Sequence, residues 1–248
     1  MIRPTFENPA ERIMVALDVD ELSQARDIAI SVQGLGVTLK IGNQLGTYEG
    51  WQSAVAFANE FDAKIFTDTK FKDIPETVKK SSRAITRHQP DFFNIMADNN
   101  PAALAAAVEG RDKAVSEFRL NKTPILLGVT VLTSISNEES ISIYGADSAT
   151  KVQQFATAAA EAGIDGVVCS PEEAEMLRTD PATADLLLVT PGIRPAWAQA
   201  GDQKRVMTPR EAVDNGVDYM VIGRPITQPP AAIGTPRDAI LKIIEEIS

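Results

Sequence analysis

The feature that most constrains the fold is an alternation of short apolar runs with helix-like stretches along the chain. The apolar runs are nearly continuous, as strands buried on both faces should be. They occupy residues 13–17, 37–41, 63–67, 92–96, 125–131, 166–169, 186–190 and 219–222. Helical periodicity marks residues 21–32, 50–61, 77–86, 101–108, 149–162, 209–214 and 236–247. Eight strand-like runs alternating with helical stretches predict an α/β fold, a (β/α)₈ TIM barrel, as a single domain over residues 1–248.

A doubly wound open sheet is the alternative fold. A dinucleotide-binding sheet of that kind carries a glycine-rich turn after its first strand. Here the first apolar run is followed by Asp18, Val19 and Asp20. The pair Gly34 and Gly36 precedes a strand and does not follow one, so it is not a phosphate-binding loop.

The composition excludes several classes of partner. Thirty-four acidic residues against 24 basic ones give a net charge of -10, which repels nucleic acid and anionic membranes. An anionic substrate would therefore need a local cluster of cations. No apolar window approaches the roughly 20 residues of a membrane span, and residues 1–12 do not resemble a signal peptide. We expect a cytoplasmic protein.

Single histidine and cysteine residues restrict the chemistry. His88 and Cys169 are the only residues of their types, so no internal disulfide can form. A histidine-based metal centre, a Ser-His-Asp triad and a Cys-His pair each need a histidine in the site. We expect His88 near a helix end and Cys169 in the core, and we assign acid-base chemistry to Lys, Asp or Glu.

Four charged residues are predicted to gather at the ends of neighbouring strands. Asp68 and Lys70 lie two apart, so on a strand both side chains point to one face. Asp73 follows where the strand should end, and Lys40 lies late in the preceding strand. The carboxyl ends of barrel strands form the active site, and Asp18 ends the first strand there. The pattern therefore predicts a functional array of Lys40, Asp68, Lys70 and Asp73.

The same segment has a structural interpretation. Asp73, Pro75 and Glu76 resemble a helix start with an aspartate N-cap, and Asp68 with Lys70 could form an ordinary ion pair. The location of the charges, in a chain without a candidate catalytic histidine, favours the functional interpretation.

The segments after the seventh and eighth strands are candidates for binding phosphate. Residues 192–205 form a long loop rich in Gly, Pro and polar side chains, as a closing lid would be. Gly223 and Arg224 follow the eighth strand, and Arg194 and Gln203 could contribute from the lid. The alternative is a surface arginine beside a flexible loop.

Several motifs, in the correct order, resemble the orotidine 5′-monophosphate decarboxylase family, bacterial branch. They are residues 16–18, 39–42, 68–75, 129–134, 167–171, 189–194, 201–203, 205–209 and 222–224. The resemblance departs at strand four, where Met96 stands in place of the usual histidine and Asp98, Asn99 and Asn100 in place of small residues.

The resemblance implies decarboxylation of orotidine 5′-monophosphate to uridine 5′-monophosphate without cofactor or metal. It implies that Lys70 protonates carbon 6 while Asp68 lies beside the substrate carboxylate. The other implied roles are ribose binding by Asp18 and Lys40, pyrimidine binding by Thr133 and Ser134, and phosphate-end binding by Pro191, Arg194, Gln203, Gly223 and Arg224. It also implies a homodimer with shared active sites, in which Asp73, Ile74 and Thr77 enter the partner's site.

Two other functions compete with this one. Magnesium-dependent sugar-phosphate enzymes of the same superfamily, such as 3-keto-L-gulonate 6-phosphate decarboxylase and hexulose-phosphate synthase, share the Asp-x-Lys-x-x-Asp motif. They carry an acid on strand two, where this chain has Lys40. A non-catalytic nucleotide-binding barrel is the second competitor, and it should have lost a member of the array.

Overall fold

Eight parallel strands close into a barrel in the computed structural model, which describes residues 4–198 and 207–248. Each strand pairs with its sequence neighbours, and β8 closes the sheet by pairing with β1. The strands are β1 Ile13–Ala16, β2 Thr38–Ile41, β3 Lys64–Phe71, β4 Phe92–Met96, β5 Ile125–Val129, β6 Gly166–Val168, β7 Leu187–Thr190 and β8 Tyr219–Ile222. The predicted (β/α)₈ barrel is confirmed.

Helices surround the barrel, and their number exceeds the sequence prediction. They are α1 Leu22–Val32, α2 Asn43–Glu49, α3 Trp51–Asn59, α4 Pro75–Thr86, α5 Pro101–Phe118, α6 Asn137–Tyr144, α7 Ser148–Glu161, α8 Ala174–Thr179, α9 Pro209–Asp214, α10 Arg224–Thr227 and α11 Pro236–Ile247. The prediction omitted α2, α6, α8 and α10 and ended α5 ten residues early, at 108 instead of Phe118. None of the helices in the described part of the chain is long and apolar enough to cross a membrane.

Alternation along the strands separates two apolar regions. In β1, Ile13 and Val15 pack outward against the helices, whereas Met14 between them packs inside the barrel. Aromatic rings fill the amino-terminal half of the interior. Tyr219 contacts Phe92 and Phe6 edge to face, with ring centroids 5.2 and 5.3 Å apart. The barrel is therefore closed and apolar beneath its carboxyl-terminal end.

Strand β3 extends beyond its predicted apolar run and contains a bulge. Thr67 pairs with Phe93 and Phe71 pairs with Ile95. Between these two pairs β3 advances by four residues, whereas β4 advances by two. The extension keeps Asp68 within the strand. Bulges redirect side chains next to active sites, and this one lies at the carboxyl end of the barrel.

The start of α4 differs from the helix start considered above. Ile74, not Asp73, is the N-cap residue, and no side chain caps the helix. The Asp73 carboxylate instead accepts a 2.7 Å hydrogen bond from the Ile74 N–H. Asp73 therefore belongs to the turn that leads from β3 into α4.

Candidate active site

A cavity of about 530 Å³ opens at the carboxyl-terminal end of the barrel. Its lining comes from several strand ends and from the loops that follow them. It includes most of the predicted site residues, namely Asp18, Lys40, Asp68, Lys70, Thr133, Ser134, Pro191, Arg194, Gly223 and Arg224. The barrel fold thus brings residues separated by more than 200 positions to one concave surface.

Asp68 is the centre of a charged network on the floor of this cavity. Lys40 Nζ lies 2.8 Å from Asp68 Oδ2, and Lys70 Nζ lies 2.6 Å from Asp68 Oδ1. Asp18 Oδ1 is 3.8 Å from Lys40 Nζ at the rim. The side chains of Lys40 and Asp68 are 11% and 9% exposed, while that of Lys70 is 30% exposed to the cavity. Both lysines line the cavity, and Lys70 is the more exposed of the two.

Burial and ion pairing oppose each other in this network. Burial favours the neutral form of Asp68, but Lys40 and Lys70 outweigh it and hold the pKa of Asp68 well below its usual range. Burial likewise lowers the pKa of Lys40, but the carboxylates of Asp68 and Asp18 together raise it above the usual value. At neutral pH the two buried groups are therefore charged, because each supplies the counterion of the other.

Two arginines lie on the cavity wall formed after β7 and β8. Burial and the nearby positive charge of Arg224 both lower the pKa of Arg194. Two neighbouring guanidinium groups repel each other, so a bound anion between them would be stabilised. Gly223 and Pro191 complete this wall.

The base of the predicted lid is closed by backbone hydrogen bonds. Arg194 N–H donates to the Met207 carbonyl at 2.9 Å, and Met207 N–H donates to the Gly192 carbonyl at 3.2 Å. These bonds hold Arg194 at the cavity wall. Residues 199–206, which include Gln203, lie outside the described part of the chain.

Three predicted site residues lie outside the cavity of their own chain. Asp73, Ile74 and Thr77 are exposed at the start of α4, and none of them lines the cavity. The Ile74 side chain is 66% exposed, which is unusual for an isoleucine beside charged groups. Asp73 is thus separated from the Lys40–Asp68–Lys70 network within one chain.

Sequence reasoning did not assign Asn94 or Gly42 to this site. Asn94 in β4 is fully buried, and its Nδ2 donates to Asp68 Oδ1 at 2.6 Å. Gly42 leaves the space between Asp18 and Lys40 open, since a Cβ there would lie 3.3 and 3.5 Å from their polar atoms. A polar residue at an inward position of an apolar strand was the available signal for Asn94. Gly42 gave no signal of its own.

The unusual strand-four segment contacts the turn that carries Asp73. Asn99 Nδ2 donates to the carbonyls of Phe71 and Met96 at 3.0 and 2.8 Å, and its Oδ1 accepts the Asp73 N–H at 3.3 Å. Lys72 Nζ pairs with Asp98 at 2.5 Å. The residues that depart from the family pattern therefore support the β3–α4 turn and leave the charged network intact.

The geometry suits a small ligand with two negatively charged ends. One end of such a ligand can approach Lys70, and the other can approach Arg194 and Arg224. Thr133 and Ser134 offer hydroxyl groups at the cavity wall formed after β5. Within residues 4–198 and 207–248, no three His, Cys, Asp or Glu side chains are grouped to hold a metal ion.

Comparison with known proteins identifies relatives over nearly the whole chain. The model of the orotidine 5′-phosphate decarboxylase / HUMPS family matches residues 11–234. A protein from Syntrophomonas wolfei named orotidine 5′-phosphate decarboxylase is 40% identical over 96% of this chain and 98% of its own length. One of the same name from Idiomarina loihiensis is 43% identical over 88% and 91%. The crystal structure of orotidine 5′-phosphate decarboxylase from Lactobacillus acidophilus superposes with a TM-score of 0.78, at 31% identity over 95% and 98%.

The shifted pKa of Asp68 predicts a specific dependence of stability on pH. The folded-state pKa of Asp68 lies below the unfolded value of 3.8, so its ionisation stabilises the fold above that pH. This contribution is lost as pH falls through the unfolded value toward the folded one. Urea unfolding of the wild type and Asp68→Asn, from pH 3 to 7, should therefore give a stability difference that is constant above about pH 5. Below about pH 4 the wild type should lose more stability, approaching about 1.4 kcal/mol per pH unit. A difference that stays constant down to pH 3 would contradict the assigned pairing.

Proposed function

The chain belongs to the orotidine 5′-phosphate decarboxylase / HUMPS family, and we propose that its cavity converts orotidine 5′-monophosphate to uridine 5′-monophosphate and carbon dioxide. This reaction is a carboxy-lyase step of pyrimidine biosynthesis. The observation that carries the proposal is the buried Asp68 carboxylate, 2.6 Å from a lysine that is exposed to the cavity. That lysine, Lys70, can supply the proton that replaces the departing carboxylate.

The proposed chemistry begins at carbon 6 of the pyrimidine. The bond from carbon 6 to the carboxylate breaks, carbon dioxide leaves, and the electron pair stays on carbon 6. Lys70 stabilises this negative charge and donates an Nζ proton to the carbon, which completes the product. Asp68 lies beside the substrate carboxylate and repels it in the ground state, and this repulsion disappears with carbon dioxide. Lys70 then regains a proton from water.

The remaining lining residues bind the parts of the nucleotide that do not react. We assign the ribose hydroxyls to Asp18 and Lys40, and the pyrimidine to Thr133 and Ser134. Pro191 and Gly223 shape the phosphate end, where Arg194 and Arg224 supply positive charge, and we assign Gln203 to the same end. Binding energy gained at the phosphate stabilises the reacting complex as a whole.

The family name also covers sugar-phosphate enzymes, and two observations argue against that branch. Lys40 stands at the position where those enzymes carry a magnesium-binding acid, and its Nζ is 2.8 Å from Asp68 Oδ2. A cation in this place would be repelled by Lys40 and would compete with it for Asp68. In addition, the curated relatives described above are named orotidine 5′-phosphate decarboxylases. We therefore propose a reaction that needs neither metal nor cofactor.

We also propose a homodimer in which each chain completes its partner's site. The supporting observation is that Asp73, Ile74 and Thr77 are exposed and lie outside their own chain's cavity. An exposed apolar Ile74 beside a carboxylate fits a position that is buried only on assembly. A partner's Asp73 would add a second carboxylate next to Lys70. The acidic composition supports the expectation that nucleic acid is not a partner, and we retain the expectation of a cytoplasmic location.

The first test is turnover itself. The purified protein should decarboxylate orotidine 5′-monophosphate in the presence of a chelator, measured as loss of substrate absorbance. Lys70→Ala should abolish turnover and still bind uridine 5′-monophosphate, because the phosphate contacts lie elsewhere. Lys64→Ala, at the other end of the same strand, is the matched control and should retain wild-type activity. Loss of turnover with chelator and its return with magnesium would favour the sugar-phosphate branch. More than about a tenth of wild-type activity in Lys70→Ala would remove Lys70 as proton donor.

Arg224→Ala tests the phosphate end. A hydrogen bond between charged groups contributes up to about 3 kcal/mol of binding free energy. Its loss should therefore lower kcat/KM for the nucleotide roughly 100-fold. The phosphate-free nucleoside orotidine should be turned over at an unchanged rate, because it lacks the group that Arg224 binds. Arg237→Ala, an exposed arginine of α11, is the control and should alter neither substrate. Equal losses on nucleotide and nucleoside would place Arg224 outside the phosphate site.

Complementation tests the shared site. Lys70→Ala and Asp73→Asn proteins, each inactive alone, are unfolded and refolded together. If Asp73 acts in the partner's site, each hybrid dimer contains one intact site. Random pairing makes about half of the dimers hybrid, so activity should recover to roughly a quarter of the wild-type value. Refolding Lys70→Ala with Lys40→Ala is the control, since both residues line one cavity and no intact site can form. Confirmed hybrids without activity would rule out the shared site.

A further inference from the structure

The bulge in β3 is held by a single side chain from the neighbouring strand. Asn94 accepts the Lys70 N–H through Oδ1 at 2.7 Å and donates through Nδ2 to Asp68 Oδ1 at 2.6 Å. Its own carbonyl accepts the Thr69 hydroxyl at 2.6 Å. Asn94 therefore connects the backbone and side chains of the whole Asp68–Lys70 segment.

The backbone at Lys70 needs this support. Lys70 has a φ of +49°, a left-handed conformation that costs a residue with a side chain about 1 kcal/mol or more. Such a conformation persists only where surrounding contacts determine it, and functional sites are where it is found. The hydrogen bond from the Lys70 N–H to Asn94 fixes the peptide group at this residue. The direction in which the Lys70 side chain leaves the strand is fixed with it.

The same amide also fixes the orientation of Asp68. Lys40 binds one oxygen of the carboxylate, and Lys70 binds the other. Asn94 donates to the oxygen that Lys70 uses, from a fully buried position. A carboxylate with three donors from three strands cannot rotate without losing at least one of them. Asn94 is the neutral member of this set and contacts both residues assigned to the reaction.

We propose that Asn94 is a positioning residue for the decarboxylation: its amide holds the β3 bulge so that Lys70 Nζ and Asp68 meet carbon 6 and the carboxylate of the substrate. This inference rests on the proposed function. Asn94 does not line the cavity, so it acts through Asp68 and Lys70 and has no direct contact with the substrate. Its loss should impair the chemical step and leave nucleotide binding largely intact.

Two variants separate the contacts of Asn94. Asn94→Ala removes the donor and the acceptor together. Asn94→Asp keeps the size of the side chain and an acceptor for the Lys70 N–H, but places a second carboxylate beside Asp68. A displacement of about 1 Å at a reacting group lowers rates about 100-fold, so both variants should lose about that factor in kcat. KM and the affinity for uridine 5′-monophosphate should stay within about threefold of wild type, since the phosphate wall is untouched.

Thr67→Val is the matched control. Thr67 is a fully buried residue of the same strand, and its hydroxyl donates to the Phe92 carbonyl at 3.2 Å, away from the cavity. This variant also loses one hydrogen bond between β3 and β4, and kcat should remain at the wild-type level. Thermal unfolding of all variants measures the stability lost in each case. If Thr67→Val loses as much kcat as Asn94→Ala, both losses reflect a general weakening of the sheet, and the positioning role of Asn94 is refuted.

A double-mutant cycle decides between positioning and general stability. The probe is 6-hydroxyuridine 5′-monophosphate, whose anionic oxygen on carbon 6 places negative charge where the reaction develops it. Asn94→Ala should weaken its binding at least tenfold in the wild-type background and should have no effect in the Lys70→Ala background. Equal losses in both backgrounds would overturn the proposal. So would an Asn94→Asp enzyme with kcat within threefold of wild type. A wild-type protein without decarboxylase activity would instead refute the proposed function.

Discussion

The pairing of one buried carboxylate with two lysines is the interaction on which the site depends. Asp68 lies above an interior filled by Phe66, Phe92 and Tyr219, so few water molecules can solvate it. In such surroundings a charge without a counterion raises the free energy of the folded state, whereas a charge with a close counterion is strongly stabilised. Each lysine therefore depends on Asp68, and Asp68 depends on both lysines. The network exists only because β2 and β3 are neighbours in a closed sheet.

The bulge in β3 sets the backbone conformation of Lys70 within this network. A regular strand would continue the ladder with β4 and turn successive side chains alternately inward and outward. Two additional residues between the pairs at Thr67 and Phe71 interrupt that ladder, and Lys70 adopts its left-handed conformation there. Local strain and the proposed proton donor thus coincide in one residue. Asn94 of the neighbouring strand β4 compensates for the strain by accepting the Lys70 N–H, and this explains why a buried amide stands among the apolar side chains of β4.

The sequence predicted those features that follow from periodicity. Alternating apolar runs gave all eight strands to within a few residues, and the spacing of Asp68 and Lys70 placed both in the cavity. Contacts between strands carry no such local signal. The sequence showed Asn94 only as a polar residue in an apolar strand and did not show its partners, which are 24 and 26 residues away. The sequence also could not show whether Asp73 faces the cavity of its own chain. Periodicity ends with the strand, and a turn can direct a side chain toward the cavity or away from it.

The charges of the cavity explain how an acidic chain can bind an anionic nucleotide. Its described lining contains four cationic side chains, Lys40, Lys70, Arg194 and Arg224, and two carboxylates, Asp18 and Asp68. The cavity is therefore locally positive in a protein with a net charge of -10. In the proposed reaction the arginines bind a phosphate that substrate and product share, so their attraction is the same before and after turnover. Only the contacts at Asp68 and Lys70 change when carbon dioxide leaves. The end of the cavity with the buried ion pairs is thus the end that distinguishes substrate from product. In the proposed reaction the geometry of these ion pairs, more than the total positive charge of the cavity, determines the rate.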